Sequence, residues 1–153
     1  MLDRLDRKIL TILAQDGRIS WKELAQRVGL SETPTVRRAR ALEAAGYIDG
    51  YSARISEAAV GKPISVFVSI SMDRQNQEEL AAFEAAIASA PQIVSCFMLA
   101  GEVDYLLRVV VADVQEFQIF LDKVLRPIPG MKRISSSFAL KPVIQRTMPP
   151  FDL

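Results

Sequence analysis

Ser20-Trp21-Lys22-Glu23-Leu24-Ala25-Gln26-Arg27-Val28-Gly29-Leu30-Ser31-Glu32-Thr33-Pro34-Thr35-Val36-Arg37-Arg38-Ala39-Arg40-Ala41-Leu42 is the stretch from which the fold is read. Ser20 and Glu23 stand at the spacing of a capping box, in which the serine oxygen accepts an early amide and the glutamate reaches back. Leu24, Ala25 and Val28 follow on one face, so a short helix begins at Trp21. Gly29 can take the positive φ of a tight turn, and Ser31 is placed to cap whatever comes next. The next helix runs to about Ala45, with Val36, Ala39 and Leu42 recurring every three positions and Gly46 where a left-handed terminal residue is expected. Upstream, Leu5, Ile9, Ile12 and Leu13 have helical spacing, with Asp3 placed to cap the start and Gly17 to follow the end. Three short helices, arranged as a helix-turn-helix, therefore fill the first 46 residues.

In a helix-turn-helix the second helix of the pair enters the major groove and offers donors to base edges and phosphates. With Val36, Ala39 and Leu42 turned inward, the third helix sends Thr33, Pro34, Arg37, Arg38 and Ala41 outward, flanked by Arg40. Arginine suits this surface because its planar fork makes two hydrogen bonds at once to guanine or phosphate. The charge divides accordingly: residues 1–56 hold ten Lys/Arg against seven Asp/Glu, and residues 57–153 hold nine against eleven. Double-stranded DNA is the expected partner of the basic part. A solvated helix face in a structural bundle is the other use of such a pattern.

Beyond residue 46 the pattern changes. Tyr47-Ile48-Asp49-Gly50-Tyr51-Ser52-Ala53-Arg54-Ile55 is partly alternating and β-prone, which reads as an extended connector. A strand is expected over 64–72, an amphipathic helix over 76–90 ended by Pro91, and strands over 92–100 and 105–112 around Gly101-Glu102-Val103-Asp104. Asp113 and Glu116 form a second capping pattern, Phe117, Phe120, Leu121 and Val124 make a buried helix face, and a last strand is expected from Met131 to Ile144. The order β-α-β-β-α-β is the ferredoxin-like arrangement, with two helices on one face of a four-stranded antiparallel sheet. The fold class is thus α+β: helix-turn-helix domain 1–50, plain or winged, connector 51–62, βαββαβ domain 63–144, and a Pro-rich tail 145–153. Because Phe67 opposes Val66, Val68 and Ile70, the strands are apolar on both sides, and a second copy is expected to cover the free sheet face.

Several classes are disfavoured. No apolar run approaches the ~18–20 residues that span a bilayer, and the charged start MLDRLDRKIL lacks the apolar stretch of a signal peptide, so a cytoplasmic protein without membrane contact is expected. A single Cys96 and no His disfavour disulfides, zinc and imidazole-based catalysis, and no cofactor or metal is expected. Glu78, Glu79 and Glu84 read as helix-surface carboxylates and no nucleophile has a base in a readable motif, so no enzyme activity is expected.

Taken together, Leu2-Asp3-x-x-Asp6-x-Lys8-Ile9-Leu10, Asp16-Gly17-Arg18-Ile19-Ser20, Glu23-Leu24-Ala25, Val28-Gly29-Leu30-Ser31, Arg38, Leu42-Glu43-x-x-Gly46-Tyr47-Ile48, Gly50-Tyr51, Gly61, the run 101–107 and Ile128-Pro129-Gly130-Met131 resemble the Lrp/AsnC family of feast/famine regulators over nearly the whole chain. The resemblance implies a homodimer, often assembled to an octamer, that binds DNA with its N-terminal domain and an amino acid or related metabolite with its C-terminal RAM, or ACT-like, domain. It implies DNA contacts within 31–40, with Ser31, Thr33, Thr35, Arg37, Arg38 and Arg40 as candidates; Thr35 is turned partly inward. Lys22 fits a phosphate at a helix start, and Trp21 fits both that role and a place in the core. For the effector it implies the loop holding Gly101 and Asp104, with Met98, Ala100, Ser135 and Ser137 as pocket walls. Asp104 suits either an α-ammonium group or the capping of its own turn. A DNA-organising protein of low sequence selectivity, whose C-terminal half only assembles, is the alternative function.

Overall fold

In the computed structural model, which describes residues 2–73 and 77–145, the first helix is capped reciprocally. Asp3 Oδ1 accepts the Asp6 amide at 2.8 Å, and Asp6 Oδ2 accepts the Asp3 amide at 3.3 Å. Helix α1 (Arg4–Gln15) is followed by α2 (Trp21–Val28), where Ser20 Oγ accepts the Glu23 amide at 3.2 Å, the serine half of the expected box. Gly29 ends α2 at φ 88°, a conformation that costs a side-chain-bearing residue about 1–2 kcal/mol. Helix α3 (Glu32–Ala44) begins after Ser31, which has N-cap backbone geometry but no side-chain cap bond, contrary to the expectation for that serine. Its carbonyl instead accepts Thr35 Oγ1 at 2.9 Å.

Ile9, Leu24, Val28, Ala39 and Leu42 form the core of this first unit, which takes in the chain up to Arg54 and again from Val143. Full burial of a side chain such as Leu24 contributes about 1.5–3 kcal/mol, and Leu24→Ala would cost about 2–5 kcal/mol once its cavity is counted. The inward register of α3 is Thr35, Ala39 and Leu42, and Val36 is only half-buried. The i, i+4, i+7 spacing follows the 3.6-residue turn, whereas the expected three-residue repeat drifts around the helix. The connector, expected to be extended and β-prone, forms no strand over 47–56. Tyr51 packs back within the unit, its hydroxyl donating to Glu43 Oε1 at 2.9 Å.

Ile55–Pro142 is the second unit. Strand β1 (Ile64–Met72) matches its expected limits, followed by α4 (Gln77–Ala88), β2 (Ile93–Met98), β3 (Tyr105–Val111), α5 (Val114–Phe120), a π-helical turn (Leu121–Leu125) and β4 (Met131–Phe138). Asn76, the expected start of α4, and the tail from 146 onward lie outside the described residues. The antiparallel sheet has the order β2-β3-β1-β4, as a ferredoxin-like chain requires. β4 stops at Phe138 rather than Ile144: Ala139 N–H makes a last bond to Ser65 O, β1 begins one residue earlier, and no partner strand remains before Pro142.

Alternation along the strands sorts the two faces. Val66, Val68, Ile70 and Met72 of β1 and Tyr105, Leu107, Val109 and Val111 of β3 pack against Phe83, Ile87, Phe117, Phe120 and Leu125. Phe67 pairs with Arg108 and Ser137 on the opposite face, where no helix of this unit lies, and there Phe67 and Phe97 are 40% and 60% exposed. The same face holds Arg108, which donates to Ser65 Oγ at 2.9 Å and to both oxygens of Glu57 at 2.8 and 2.6 Å.

Candidate nucleic-acid interface and ligand site

Thr33, Arg37 and Arg40 project from the exposed side of α3, where with Glu32 and Val36 they line a shallow groove of about 520 Å³. Neither Arg37 nor Arg40 is in an ion pair among the described residues, so both guanidinium forks keep their donors for a ligand. Ser31, Lys22 and Trp21 are exposed as well, and at 38% exposure Trp21 resolves toward the surface rather than the core. Gly29, left-handed at φ 88°, turns the chain out of α2 so that α3 can begin after Ser31.

Two of the candidate contacts have partners inside the unit. Thr35 is fully buried and its hydroxyl donates within the helix to Ser31 O, unlike the exposed candidates beside it. Arg38 Nη1 is committed to Asp3 Oδ2 and Asp6 Oδ1, both at 2.7 Å, which raises the guanidinium pKa further. The Asp6 amide, and then Arg38, hold the Asp3 carboxyl below its usual value. Sequence reasoning saw Asp3 only as a cap; the signal for the bridge was the Asp3/Asp6 pair, whose cross-helix partner lies 32 residues away from Asp6 and is set by packing alone.

Around the loop 101–104, Asp104 Oδ2 accepts the Met72 amide at 2.7 Å where the β1–β4 register shifts, and Asp104 N–H donates to Ile70 O at 2.9 Å. Leu99 N–H closes the loop on Asp104 O at 2.8 Å. Gly101 has open space where a Cβ would stand, so a ligand can approach its backbone. The six candidate effector residues do not converge within one chain. On edge strand β4, Ser135 and Ser137 share the open face with Ser69 and Phe67 of β1, whereas Met98 lies on the opposite edge strand, three strand spacings or ~14 Å away. Met98 instead lines a groove of about 360 Å³ with Glu84, Ile87, Ile93, Cys96 and Tyr105. There Tyr105 donates to Glu84 Oε1 at 2.7 Å. Burial and then Glu84 push both the Tyr105 hydroxyl and the Cys96 thiol above their usual pKa values. Glu84, which reads as a plain surface carboxylate, thus has a built role that its helical spacing does not signal.

Residues 2–49 match the family model described as winged helix-turn-helix DNA-binding, and residues 65–149 match the Lrp/AsnC ligand binding domain. The chain is 54% identical over 97% of both lengths to the Bkd operon transcriptional regulator of Pseudomonas aeruginosa. It is 37% identical to the leucine-responsive regulatory protein of Escherichia coli, covering 94% of this chain and 88% of that one. A transcriptional regulator of Neisseria meningitidis, solved with L-methionine, superposes with a TM-score of 0.94 at 36% identity, covering 98% of this chain and 97% of that one.

Proposed function

The chain belongs to the Lrp/AsnC family of transcription regulators, and from that membership we propose how it reads DNA and senses its effector. It is a DNA-binding transcriptional regulator with a ligand-binding domain, built for response to an amino acid. α3 enters the major groove, Arg37 and Arg40 take guanine edges or phosphates, Thr33 and Ser31 hydrogen-bond beside them, and Trp21 and Lys22 hold the backbone at the start of α2. The observation that carries this reading is the pair of arginine forks on the exposed side of α3, neither in an ion pair among the described residues.

The effector is a free amino acid or a close relative, held at the loop of Gly101 and Asp104. We assign the rest of the pocket to a second copy, a reading supported by the placement of Met98 and of Ser135 and Ser137 on opposite edge strands of one chain. The relative solved with L-methionine supports this effector class. The protein works as a homodimer or a larger even assembly, and the effector acts by binding one assembly better than another, without catalysis.

Binding to the duplex upstream of its own gene, against a scrambled duplex of equal length, with and without a pool of the twenty amino acids, tests the reading. Selective binding that the pool alters is expected. Equal binding to both duplexes would favour a DNA-organising protein, and no binding at low salt would overturn DNA recognition.

A further inference from the structure

The second unit carries its charge unevenly. Residues 55–120 hold three Lys/Arg and nine Asp/Glu, net −6, whereas residues 121–142 hold five Lys/Arg and one Asp, net +4. The cations of the acidic stretch are consumed internally where they are described: Lys62 pairs with Glu116 and Arg108 with Glu57. Those of the basic stretch are not: Lys123, Lys132, Arg133 and Lys141 are exposed and pair with no carboxylate among the described residues. Arg126 alone has a partner, Asp122 one turn away on the π-helical turn, and it stays two-thirds exposed.

The fold gathers these charges. The π-helical turn delivers Arg126 beside the start of edge strand β4, so that Arg126, Lys132 and Arg133 converge on one cleft of about 390 Å³ floored by Ile128, Met131 and Ile134. Gathering like charges on one cleft costs electrostatic free energy unless an anion offsets it, and both cation types serve phosphate, arginine through its planar fork and lysine as a point charge.

We propose that the cleft of Arg126, Lys132 and Arg133 is a second, sequence-independent DNA contact, holding backbone phosphates of a duplex. It rests on the DNA-binding reading above and adds to it a role for the C-terminal unit in affinity rather than in selectivity. Phosphate contacts of this kind release counterions, so each removes about 0.9 from the slope of log K against log salt when it is lost.

The test is the salt dependence of binding by the full chain to the upstream duplex and to the scrambled one, for wild type, the triple variant Arg126→Gln/Lys132→Gln/Arg133→Gln, and the charge-keeping Arg126→Lys/Lys132→Arg/Arg133→Lys. The glutamine variant is expected to lose about 2–3 from the slope on both duplexes, with the ratio of their affinities kept; the charge-keeping variant retains the slope. An unchanged slope in the glutamine variant, with wild type binding normally, overturns the proposal alone. Failure of wild type itself to bind overturns the DNA reading with it. A glutamine variant whose sedimentation coefficient changes while its slope does not makes the cleft a contact between copies of this chain and overturns the phosphate assignment.

Discussion

Arg38 Nη1 stands 2.7 Å from Asp6 Oδ1 and, at the same distance, from Asp3 Oδ2, so one nitrogen bridges the two acids that start α1. An arginine of α3 is thereby tied to the start of α1, which helps set the two helices against each other. Arg38→Gln is expected to weaken DNA binding by misplacing α3 while leaving the salt slope unchanged; Arg37→Gln lowers that slope by about 0.9. The comparison is made by titrating both variants at several salt concentrations. Equal loss of slope in the two would put Arg38 on the phosphates.

Thr35 separates a core role from a contact role. Thr35→Val keeps the shape and removes the hydroxyl bond to Ser31 O, so about 0.5–1.5 kcal/mol of stability is expected to be lost, with DNA affinity per folded molecule unaltered. Chemical denaturation alongside a binding titration checks both halves. A tenfold loss of affinity at unchanged stability would return Thr35 to the interface.

The acid limb of stability follows from two carboxylates. The Asp6 amide and Arg38 hold Asp3 below its usual 3.8, and Lys62 with the Ala112 amide hold Glu116 below its usual 4.5. With the folded pKa lower than the unfolded one, each contribution is whole above the usual value and is lost as pH falls through the lowered one. The chain has no histidine, so melting temperature is expected to be flat from about pH 5.5 to 8 and to fall below about pH 4.5. Lys62→Met should make the acid decline shallower. A decline already under way at neutral pH would point to a different titrating group.

Asp104 is expected to divide its two roles by substitution. Asp104→Asn keeps an oxygen for the Met72 amide but removes the charge an ammonium group needs, so the amino-acid response of DNA binding should disappear. Asp104→Ala leaves that amide without its acceptor and should cost about 1–3 kcal/mol. Isothermal calorimetry with the active amino acid and thermal melts report the two effects separately. An Asn variant that still responds would leave Asp104 as a turn residue only.

Element order, fold class and the limits of β1 were legible in the chain, because they depend on local periodicity, capping spacing and glycine placement, which act within a few residues. The acidic pair at the start of α1 and the glycine after α2 belong to that class. The limit of β4 was not legible, since a strand ends where its neighbour ends, and the length of β1 is a fact about a distant segment. The side of α3 that faces the groove was legible only to within one residue, and that one residue decides whether Thr35 or Val36 is inside.

By itself the sequence determined that a helix-turn-helix precedes a βαββαβ sheet and that the basic residues lie where DNA would be read. Tertiary structure alone decided which of those residues are paired: among the described residues Arg37 and Arg40 make no ion pair, while packing brings Asp3 and Asp6 to Arg38 across 35 and 32 residues. The physical reason is that an ion pair forms wherever packing sets opposite charges within reach, and that proximity is a property of the packed core of Ile9, Leu24 and Leu42 rather than of the local pattern.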